Sequence, residues 1–433
     1  MDRYTPVSRR QLLATGALAG TAGVAGCSGI GGIDGNGDGS GGGGVPGGDD
    51  DGLAGVGDSG PDPMAWRTAY FDNANTSYHP TAELPRNGVT EQWRIETGEN
   101  GTPTSPIAAD GTVYVGGSSD RPIMFVDIET GEVEWSGPSD ETAVSTTSSD
   151  PVVTDEVLHY TDGNRLYTFD LDGAMLERVD VDPGPLGAGS MTVTDGIGYV
   201  ARRDGFNKVG IIGYDLDEKE PVFTYEEDQA SGPPAVDDGQ LLVRDRGAQK
   251  GITAVSMETG ERAWVTEFDG DLYQTVVVGD DLAYIAGNKE EPGFGNFAGG
   301  FVNAYDTATG DRKWQVEGPG GLTQSNVVFA EGIVYAGFEY EDGSPNVVAL
   351  DAETGEVVWE EPVGDQPYHL AMAGETLVIG DAFETAVYAL DAATGEKLWS
   401  FETEERITRP VTVVDGTVLV GESSGTYYAI GGP

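Results

Sequence analysis

The chain has 433 residues, and its 74 acidic against 23 basic residues give a formal net charge of −51. So large an acid excess argues against binding of DNA or RNA through the phosphates, which requires a basic surface. The single cysteine excludes a disulfide framework, and no run of about 18 apolar residues is available for a membrane span.

The acid excess is accompanied by a scarcity of lysine, since only 6 of the 23 bases are lysines. Such a surface suits a protein that works in molar salt, where the Debye length falls to about 3 Å and carboxylates repel one another weakly. We therefore expect a halophilic, archaeal source. A calcium- or cation-loading protein is the alternative.

The N-terminus reads Ser8-Arg9-Arg10 before a weakly apolar run that ends at Cys27. Paired arginines ahead of a mild hydrophobic region resemble a twin-arginine (Tat) export signal, so Arg9 and Arg10 are its predicted recognition residues. The small residues before Cys27 resemble a lipobox, in which the cysteine is lipidated. We predict that residues 1–27 are a leader and that Cys27 anchors the protein to the outer face of the cytoplasmic membrane. An incidental cysteine in a cleaved leader is the alternative.

Residues 28–62 contain 16 glycines and 7 aspartates with few large apolar side chains. A segment of this composition cannot bury a core, so we predict a disordered, self-repelling tether.

From about residue 104 the chain repeats one phrase, an Asp-Gly-x-Val-Tyr-Val-Gly stretch followed by Asp-x-x-Thr-Gly-x-x-x-Trp. A period of about 40–45 residues with four short strands per unit is typical of a β-propeller. In the second and third copies the Thr-Gly turn and the Trp are lost. The residue that opens the second stretch falls at Asp127, Asp170, Asp215, Ser256, Asp306, Asp351 and Asp391.

The eighth copy, which begins at Arg409, lacks its fourth strand, and the segment from Val89 to Gly98 has the pattern of the missing one. We predict an all-β, eight-bladed β-propeller of four-stranded antiparallel blades over residues 63–433. The N-terminal strand closes the ring, because closure removes an exposed hydrogen-bonding edge. The repeated aspartates are interpreted as structural, since an Asp side chain accepts backbone N–H groups in such turns.

These cassettes resemble the pyrroloquinoline-quinone-like (PQQ-like) β-propeller repeat family, and the segment from Phe71 to Pro80 resembles the lead-in of its exported members. The family includes quinoprotein alcohol dehydrogenases and non-catalytic BamB-type lipoproteins, and a shared fold does not decide between them. The resemblance implies that a dehydrogenase would carry adjacent cysteines beside the quinone, a calcium site of acidic and amide side chains, and a catalytic Asp.

The only cysteine lies in the leader, and no position matches the calcium ligands or the catalytic Asp. PQQ and calcium are therefore not expected as cofactors, and no catalytic residue is assigned. His79, His159 and His369 lack metal-ligand spacing, so no metal site is predicted and each is interpreted as a hydrogen-bonded structural residue.

The bases are unevenly distributed over the loops that join the second and third strands. We predict a binding patch for an anionic ligand or an acidic partner on this face, and pairing with nearby carboxylates is the alternative. In the last three repeats the same loops carry Glu339, Glu341, Asp342, Asp381, Glu384 and Glu422. The patch comprises Arg121, Arg165, Arg202, Arg203, Arg244 and Arg246.

We therefore expect a monomeric, non-enzymatic, lipid-anchored propeller that binds a protein or a ligand at the cell surface. A PQQ-dependent dehydrogenase of alcohols or sugars is one alternative. A solute- or glycan-binding receptor is another, favoured if aromatic side chains line the central channel.

Overall fold

The computed structural model contains only β-strands as regular elements within the ranges that it describes, and 33 strands occur there. The described residues are 62, 64–97, 104–116, 123–137, 149–154, 157–161, 165–180, 191–204, 207–226, 230–245, 250–266, 268, 270–290, 297–318, 323, 325–339, 345–364 and 366–433.

The strands form eight sheets of four antiparallel strands each, and one sheet gains a fifth strand. We name these sheets blades 1–8 and their strands A to D in order from the axis to the rim. Blades 1–4 comprise β3 (Ile107–Ala109), β4 (Thr112–Gly116), β5 (Ile123–Asp127), β6 (Val133–Gly137); β7 (Val152–Val153), β8 (Val157–Thr161), β9 (Arg165–Asp170), β10 (Met175–Asp180); β11 (Thr192–Thr194), β12 (Ile197–Asp204), β13 (Asn207–Asp215), β14 (Glu220–Tyr225); and β15 (Ala230–Asp237), β16 (Gln240–Asp245), β17 (Gly251–Ser256), β18 (Arg262–Val265).

Blade 8 takes its D strand, β2, from the N-terminal part of the chain, and β1 is the fifth strand of blade 7. These strands are β1 (Tyr78–His79) and β2 (Thr90–Glu96). Blades 5–8 otherwise comprise β19 (Gly270–Gly279), β20 (Leu282–Glu290), β21 (Phe297–Asp306), β22 (Arg312–Glu317); β23 (Val328–Ala330), β24 (Ile333–Glu339), β25 (Pro345–Asp351), β26 (Val357–Pro362); β27 (Pro367–Ala373), β28 (Thr376–Asp381), β29 (Ala386–Asp391), β30 (Lys397–Glu402); and β31 (Thr412–Val414), β32 (Thr417–Gly421), β33 (Thr426–Gly431).

The predicted ring closure is confirmed, because β2 pairs antiparallel with β33 and places Trp93 opposite Ala429. The eight-bladed propeller is confirmed as well. The sequence did not predict β1, which pairs in parallel with β27. The inner strands are buried on both faces, whereas D strands such as β26 are mostly exposed, so apolar residues concentrate toward the axis.

The turns between the C and D strands hold the repeated aspartates in the structural role predicted for them. The carboxylate of Asp127 accepts the backbone N–H of Thr130 at 2.8 Å and its hydroxyl at 2.7 Å. These bonds lower the pKa of Asp127, with the Thr130 hydroxyl as the largest cause. Asp306, Asp351 and Asp391 hold their own threonines in the same way.

Adjacent blades are joined by a contact between an aromatic ring of one D strand and the turn glycine of the next blade. Gly131 has a φ of 72°, and a Cβ there would lie 2.6 Å from Cγ of Trp93. The Trp93 Nε1–H also donates to the carbonyl of Ile128 at 2.8 Å. The same ring-to-glycine contact recurs for Trp135 on Gly173, Trp264 on Gly310, Trp314 on Gly355 and Trp359 on Gly395.

At the junction of blades 7 and 8 the N-terminal part of the chain replaces the missing turn. Trp399 donates its Nε1–H to the carbonyl of Pro85 at 2.7 Å. The same segment is fixed by Arg86, whose guanidinium pairs with Asp391 of blade 7. The closing segment therefore supplies both a strand and the acceptor that a C–D turn supplies elsewhere.

In the two degenerate repeats, blades 2 and 3, other side chains take the place of the tryptophan that packs on the turn glycine of the next blade. In blade 2, Glu177 stands opposite Thr168, where blade 1 has Trp135 opposite Phe125. In the turn of blade 3, Lys219 takes the place of glycine with a φ of 63°. The Nζ of Lys219 lies 2.5 Å from Oε1 of Glu177, so an ion pair stands where the ring would pack on glycine. At the next junction, Phe223 covers Gly260.

The three histidines are buried, and two of them are hydrogen-bonded as predicted. His79 accepts the Ala82 N–H at Nδ1 and lies 3.0 Å from the Asp62 carbonyl through Nε2, and His159 contacts the Thr168 hydroxyl at 3.2 Å. His369 forms no hydrogen bond of good geometry, although the backbone of Thr408 lies close enough to oppose the fall of its pKa. Its ring instead packs edge-on against Tyr368, with centroids 4.7 Å apart.

The ion pair between blades 2 and 3 generates a stability prediction. We expect Glu177→Trp combined with Lys219→Gly to raise the free energy of unfolding by about 1–3 kcal/mol, because ring burial is gained and left-handed strain is relieved. Glu177→Trp alone is expected to destabilise, since Lys219 blocks the site of the ring. Urea unfolding in molar salt measures both variants. A double variant no more stable than Glu177→Trp alone would contradict the proposed equivalence of the two contacts.

Burial of the histidines generates a pH prediction. Burial lowers the pKa of His79 and of His159 from 6.5 to about 4, and burial and Arg409 lower that of His369 to about 3. Unfolding therefore takes up protons, and stability is lost as the pH falls from about 6.5 toward 4. Three sites give at most about 4 kcal/mol per pH unit in this window.

Urea midpoints at pH 7, 6 and 5 in constant salt measure this slope. His159→Gln is expected to reduce the slope by about one third, because one of three titrating rings is removed. An unchanged slope in this variant would show that other groups carry the acid sensitivity.

Candidate functional site: the axis and the B–C face

Consecutive strands of a blade alternate in direction, so the A–B and C–D turns lie at one end of the axis and the B–C loops at the other. A lead-in strap, residues 64–79, lies at the A–B end and bonds to the inner strands of successive blades. Trp66 pairs with Ala108 of blade 1 through two hydrogen bonds of 2.7 and 2.8 Å. The carbonyl of Arg67 accepts the N–H of Val153 in blade 2 at 3.0 Å.

The strap continues around the ring. Its carbonyls at Asn73, Ala74, Thr76 and Ser77 each accept one N–H from an inner strand. The donors are Val236, Val278, Phe329 and Met372, in blades 4, 5, 6 and 7. The strap therefore ties most of the ring together at the A–B end, a role that repeat analysis missed because the strap itself belongs to no repeat.

Tyr70 of the strap lies among charged and aromatic groups that converge on the axis. Burial raises the pKa of Tyr70, Asp150 adds to the rise, and Arg244 and Arg409 oppose it. Tyr368 also raises the pKa of Tyr70. We call these five residues the axial cluster; Asp150, Tyr368 and Arg409 are half-buried, and Tyr70 and Arg244 are buried.

Two further side chains interact electrostatically with the axial cluster, the phenol of Tyr427 and the imidazole of His369. Burial raises the pKa of Tyr427, and among the nearby charges Arg409 lowers it and Asp150 raises it. The Tyr427 hydroxyl lies 3.0 Å from the carbonyl oxygen of Thr104 and 2.9 Å from that of Gly116 and shares its proton between them. His369, next to Tyr368, is 4% exposed. Aromatic side chains are therefore part of the axial cluster and its surroundings.

Two members of the predicted basic patch, Arg165 and Arg244, have different surroundings in the structure. Arg165 begins β9 and its Nε lies 3.2 Å from Oδ1 of Asp180 on the outer strand of the same blade. Arg244, on β16, is 9% exposed and belongs to the axial cluster. Arg202 and Arg203 lie on β12, and Arg121 and Arg246 lie outside the described residues.

The loops of the last blades hold two acids in roles that we did not predict. Asp381 and Glu422 are buried, since they are 0% and 1% exposed. The Asp381 carboxylate accepts the N–H groups of Gln366, Phe383 and Glu384 at 2.6 to 2.7 Å.

Glu422 acts in the same manner in blade 8. Its carboxylate accepts the N–H groups of Glu404 and Glu405 at 2.6 and 2.8 Å and the hydroxyl of Ser424 at 3.1 Å. These buried carboxylates therefore cap loop backbone, because an unpaired buried N–H would be costly. In the sequence they look the same as solvated loop acids.

Calcium in a quinoprotein site would take carboxylate and amide oxygens from the protein. No three Asp, Glu, His or Cys side chains in the described part of the chain are grouped closely enough to hold a metal ion. The axial carboxylate of Asp150 already accepts the backbone N–H of Ser105 at 2.5 Å. Among the described residues we therefore assign no calcium ligand and no position for PQQ.

The export and anchoring residues Arg9, Arg10 and Cys27, and residues 28–61 of the predicted tether, lie outside the described residues. Within the described part of the chain, no helix has the length and apolar character needed to span a bilayer.

Solved structures with the same fold include a protein named BamB, a quinohemoprotein alcohol dehydrogenase and a designed protein. BamB from Moraxella catarrhalis is 19% identical with a TM-score of 0.57, covering 79% of this chain and 98% of its own. The quinohemoprotein alcohol dehydrogenase from Comamonas testosteroni is 14% identical with a TM-score of 0.67, covering 86% and 81%. The designed protein Ika8 is 17% identical with a TM-score of 0.62, covering 78% and 98%.

At these identities the likenesses show the fold alone. No curated protein sequence matches the chain significantly. A family model described as outer membrane protein assembly factor BamB matches residues 88–216, 216–382 and 382–432. Since these matches span most of the propeller repeats, the chain belongs to the BamB-like, PQQ-like β-propeller family.

Proposed function

We propose that the protein is a non-catalytic, lipid-anchored propeller that acts as an interaction or ligand-binding scaffold on the outer face of the cytoplasmic membrane. The observation that carries this proposal is the strap, which bonds to the inner strands at the A–B end. The B–C face is thereby left as the surface for recognition. Family membership is consistent with a scaffold, since the family model is that of an assembly factor.

The point where the chain enters the propeller supports this orientation. Asp62 lies beside His79, with its carbonyl 3.0 Å from Nε2, at the A–B end of blade 7. The described part of the chain thus begins at the end of the propeller opposite the B–C loops. Loops held on a stiff scaffold are suited to recognition, because little conformational entropy is lost on binding.

The absence of a grouped donor set among the described residues favours binding over redox chemistry. We do not extend the family's role in outer-membrane assembly to this chain, because an archaeal source would have no such membrane.

A receptor for a small solute or glycan is the second candidate, and the axial cluster favours it. Tyr70 and Tyr368 supply aromatic surface, and Arg244 and Arg409 supply donors for carboxylate or hydroxyl groups. A solute bound there at free concentration c would raise the free energy of unfolding by RT ln(1 + c/Kd), and the melting temperature would rise with it.

The anchor is tested by Cys27→Ser. We expect this variant to leave the membrane fraction and appear in the medium, because the lipid attachment site is removed. Fractionation of cells in molar salt measures the change, with Ser40→Ala in the predicted tether as the control. Retention of Cys27→Ser in the membrane fraction would contradict a lipid anchor at this residue.

The enzymatic alternative is tested by adding PQQ and calcium to the purified full-length protein. We expect neither reduction of an artificial electron acceptor with alcohols or sugars nor a rise in melting temperature, since no calcium ligand is assigned among the described residues. Sustained substrate-dependent dye reduction would replace the scaffold proposal with a quinoprotein dehydrogenase.

A further inference from the structure

The loop between β28 and β29 presents an aromatic side chain to solvent on the B–C face. Phe383 is 55% exposed, and it is the only aromatic among the large hydrophobic side chains that are exposed in the described part of the chain. The remaining exposed members of that group are aliphatic and begin D strands at the opposite end of the propeller. Phe383 therefore stands apart in both its chemistry and its position.

The loop that carries Phe383 is fixed by hydrogen bonds to a buried carboxylate. The buried carboxylate of Asp381 accepts the Phe383 N–H at 2.7 Å and the Glu384 N–H at 2.6 Å. The Glu384 carboxylate is bonded in turn by the Tyr388 hydroxyl. A loop fixed by these bonds presents Phe383 with little conformational freedom to lose on binding.

A second fixed loop places an arginine beside this ring. The guanidinium carbon of Arg406 lies 5.7 Å from the centroid of the Phe383 ring, within cation–π range. The backbone carbonyl of Arg406 accepts the Ser423 N–H at 2.8 Å, and Glu422 caps the preceding N–H groups of Glu404 and Glu405. Two buried carboxylates in consecutive blades thus set the positions of Phe383 and Arg406.

Arg406 is exposed, yet its guanidinium forms no ion pair with any described residue, although the chain carries a large acid excess. Two acids of the neighbouring loops are engaged elsewhere, because Glu404 pairs with Arg94 at 2.7 Å and Glu384 bonds Tyr388. The charge of Arg406 is therefore available to a carboxylate from outside the chain.

We infer that Phe383 and Arg406 form the centre of a protein-binding site on the B–C face of blades 7 and 8. The partner is a polypeptide with an apolar pocket for the ring and a carboxylate at its rim for the guanidinium. Aromatic and arginine side chains dominate binding energy at protein interfaces, and salting-out conditions strengthen burial of the ring. This inference rests on the proposed scaffold function and names the kind of partner.

Site-specific photo-crosslinking in intact cells tests the inference with the full-length, anchored protein. A benzophenone amino acid replaces Phe383, or Val358 as the control, which is 52% exposed at the D-strand start of blade 6. We expect one discrete protein adduct from position 383, lost when Arg406→Glu is added, and no such adduct from position 358.

The crosslinked protein is then purified and its affinity is measured by titration in molar salt. Phe383→Ala is expected to weaken binding about 30-fold or more and Arg406→Ser about 10-fold, while Val358→Ala has no effect. Unchanged melting temperatures of these variants establish that the fold is retained.

With further benzophenone probes placed in the other B–C loops, four results would overturn the inference. An adduct only with lipid or with a second copy of this chain would contradict the stated partner. Wild-type affinity in both variants would remove Phe383 and Arg406 from the interface. Adducts from other B–C loops but not from position 383 would overturn this site while leaving the scaffold proposal intact, whereas no adduct anywhere on this face would overturn both.

Discussion

The propeller depends on one contact, the packing of an aromatic D-strand ring on the turn glycine of the next blade. The glycine serves two needs, since the turn requires a positive φ and the ring occupies the space where a Cβ would stand. At Gly131 a Cβ would lie 2.6 Å from the Trp93 ring, so alanine would violate both requirements. Because nearly every blade contributes one such contact to its neighbour and receives another, the contacts can be satisfied together only when the circle of blades is closed.

Closure therefore falls to the N-terminal part of the chain. The segment from Pro85 to Trp93 receives the ring of Trp399 and delivers its own ring to blade 1. The strap just before it bonds to successive inner strands at the axis. The N-terminal part of the chain therefore joins the first and last blades at the rim and bonds to the inner strands near the axis. This accounts for the position of the D strand of blade 8 ahead of the A strand of blade 1 in the sequence.

The repeat pattern was sufficient to predict the fold, the blade count and the closing strand. Each of these follows from local signals, namely the Asp turn, the glycine and the ring, that recur at a nearly fixed spacing. The strap could not be predicted in the same way, because its hydrogen bonds join residues far apart in the chain and belong to no repeat. The exchange of Trp and Gly for Glu177 and Lys219 looked like degeneration in the sequence, and its meaning appears only once the two residues are adjacent.

The candidate site was harder to predict because charge alone does not reveal burial. The sequence does not distinguish Asp381 and Glu422 from solvated loop acids, but both carboxylates are buried and accept hydrogen bonds from backbone N–H groups. Arg244 read as a surface base, yet it belongs to the axis. The acid excess thus conceals a small number of buried charges that shape loops, while most carboxylates coat the surface.

A ring locked at nearly every junction has little freedom to change shape when a partner binds. Recognition must then be built into loops whose bound conformation already exists, and buried carboxylates beneath blades 7 and 8 provide that conformation. The same carboxylates, being occupied by backbone N–H groups, do not neutralise Arg406. In a chain dominated by acids, using carboxylates as internal caps is a way to leave a cation available beside an exposed ring.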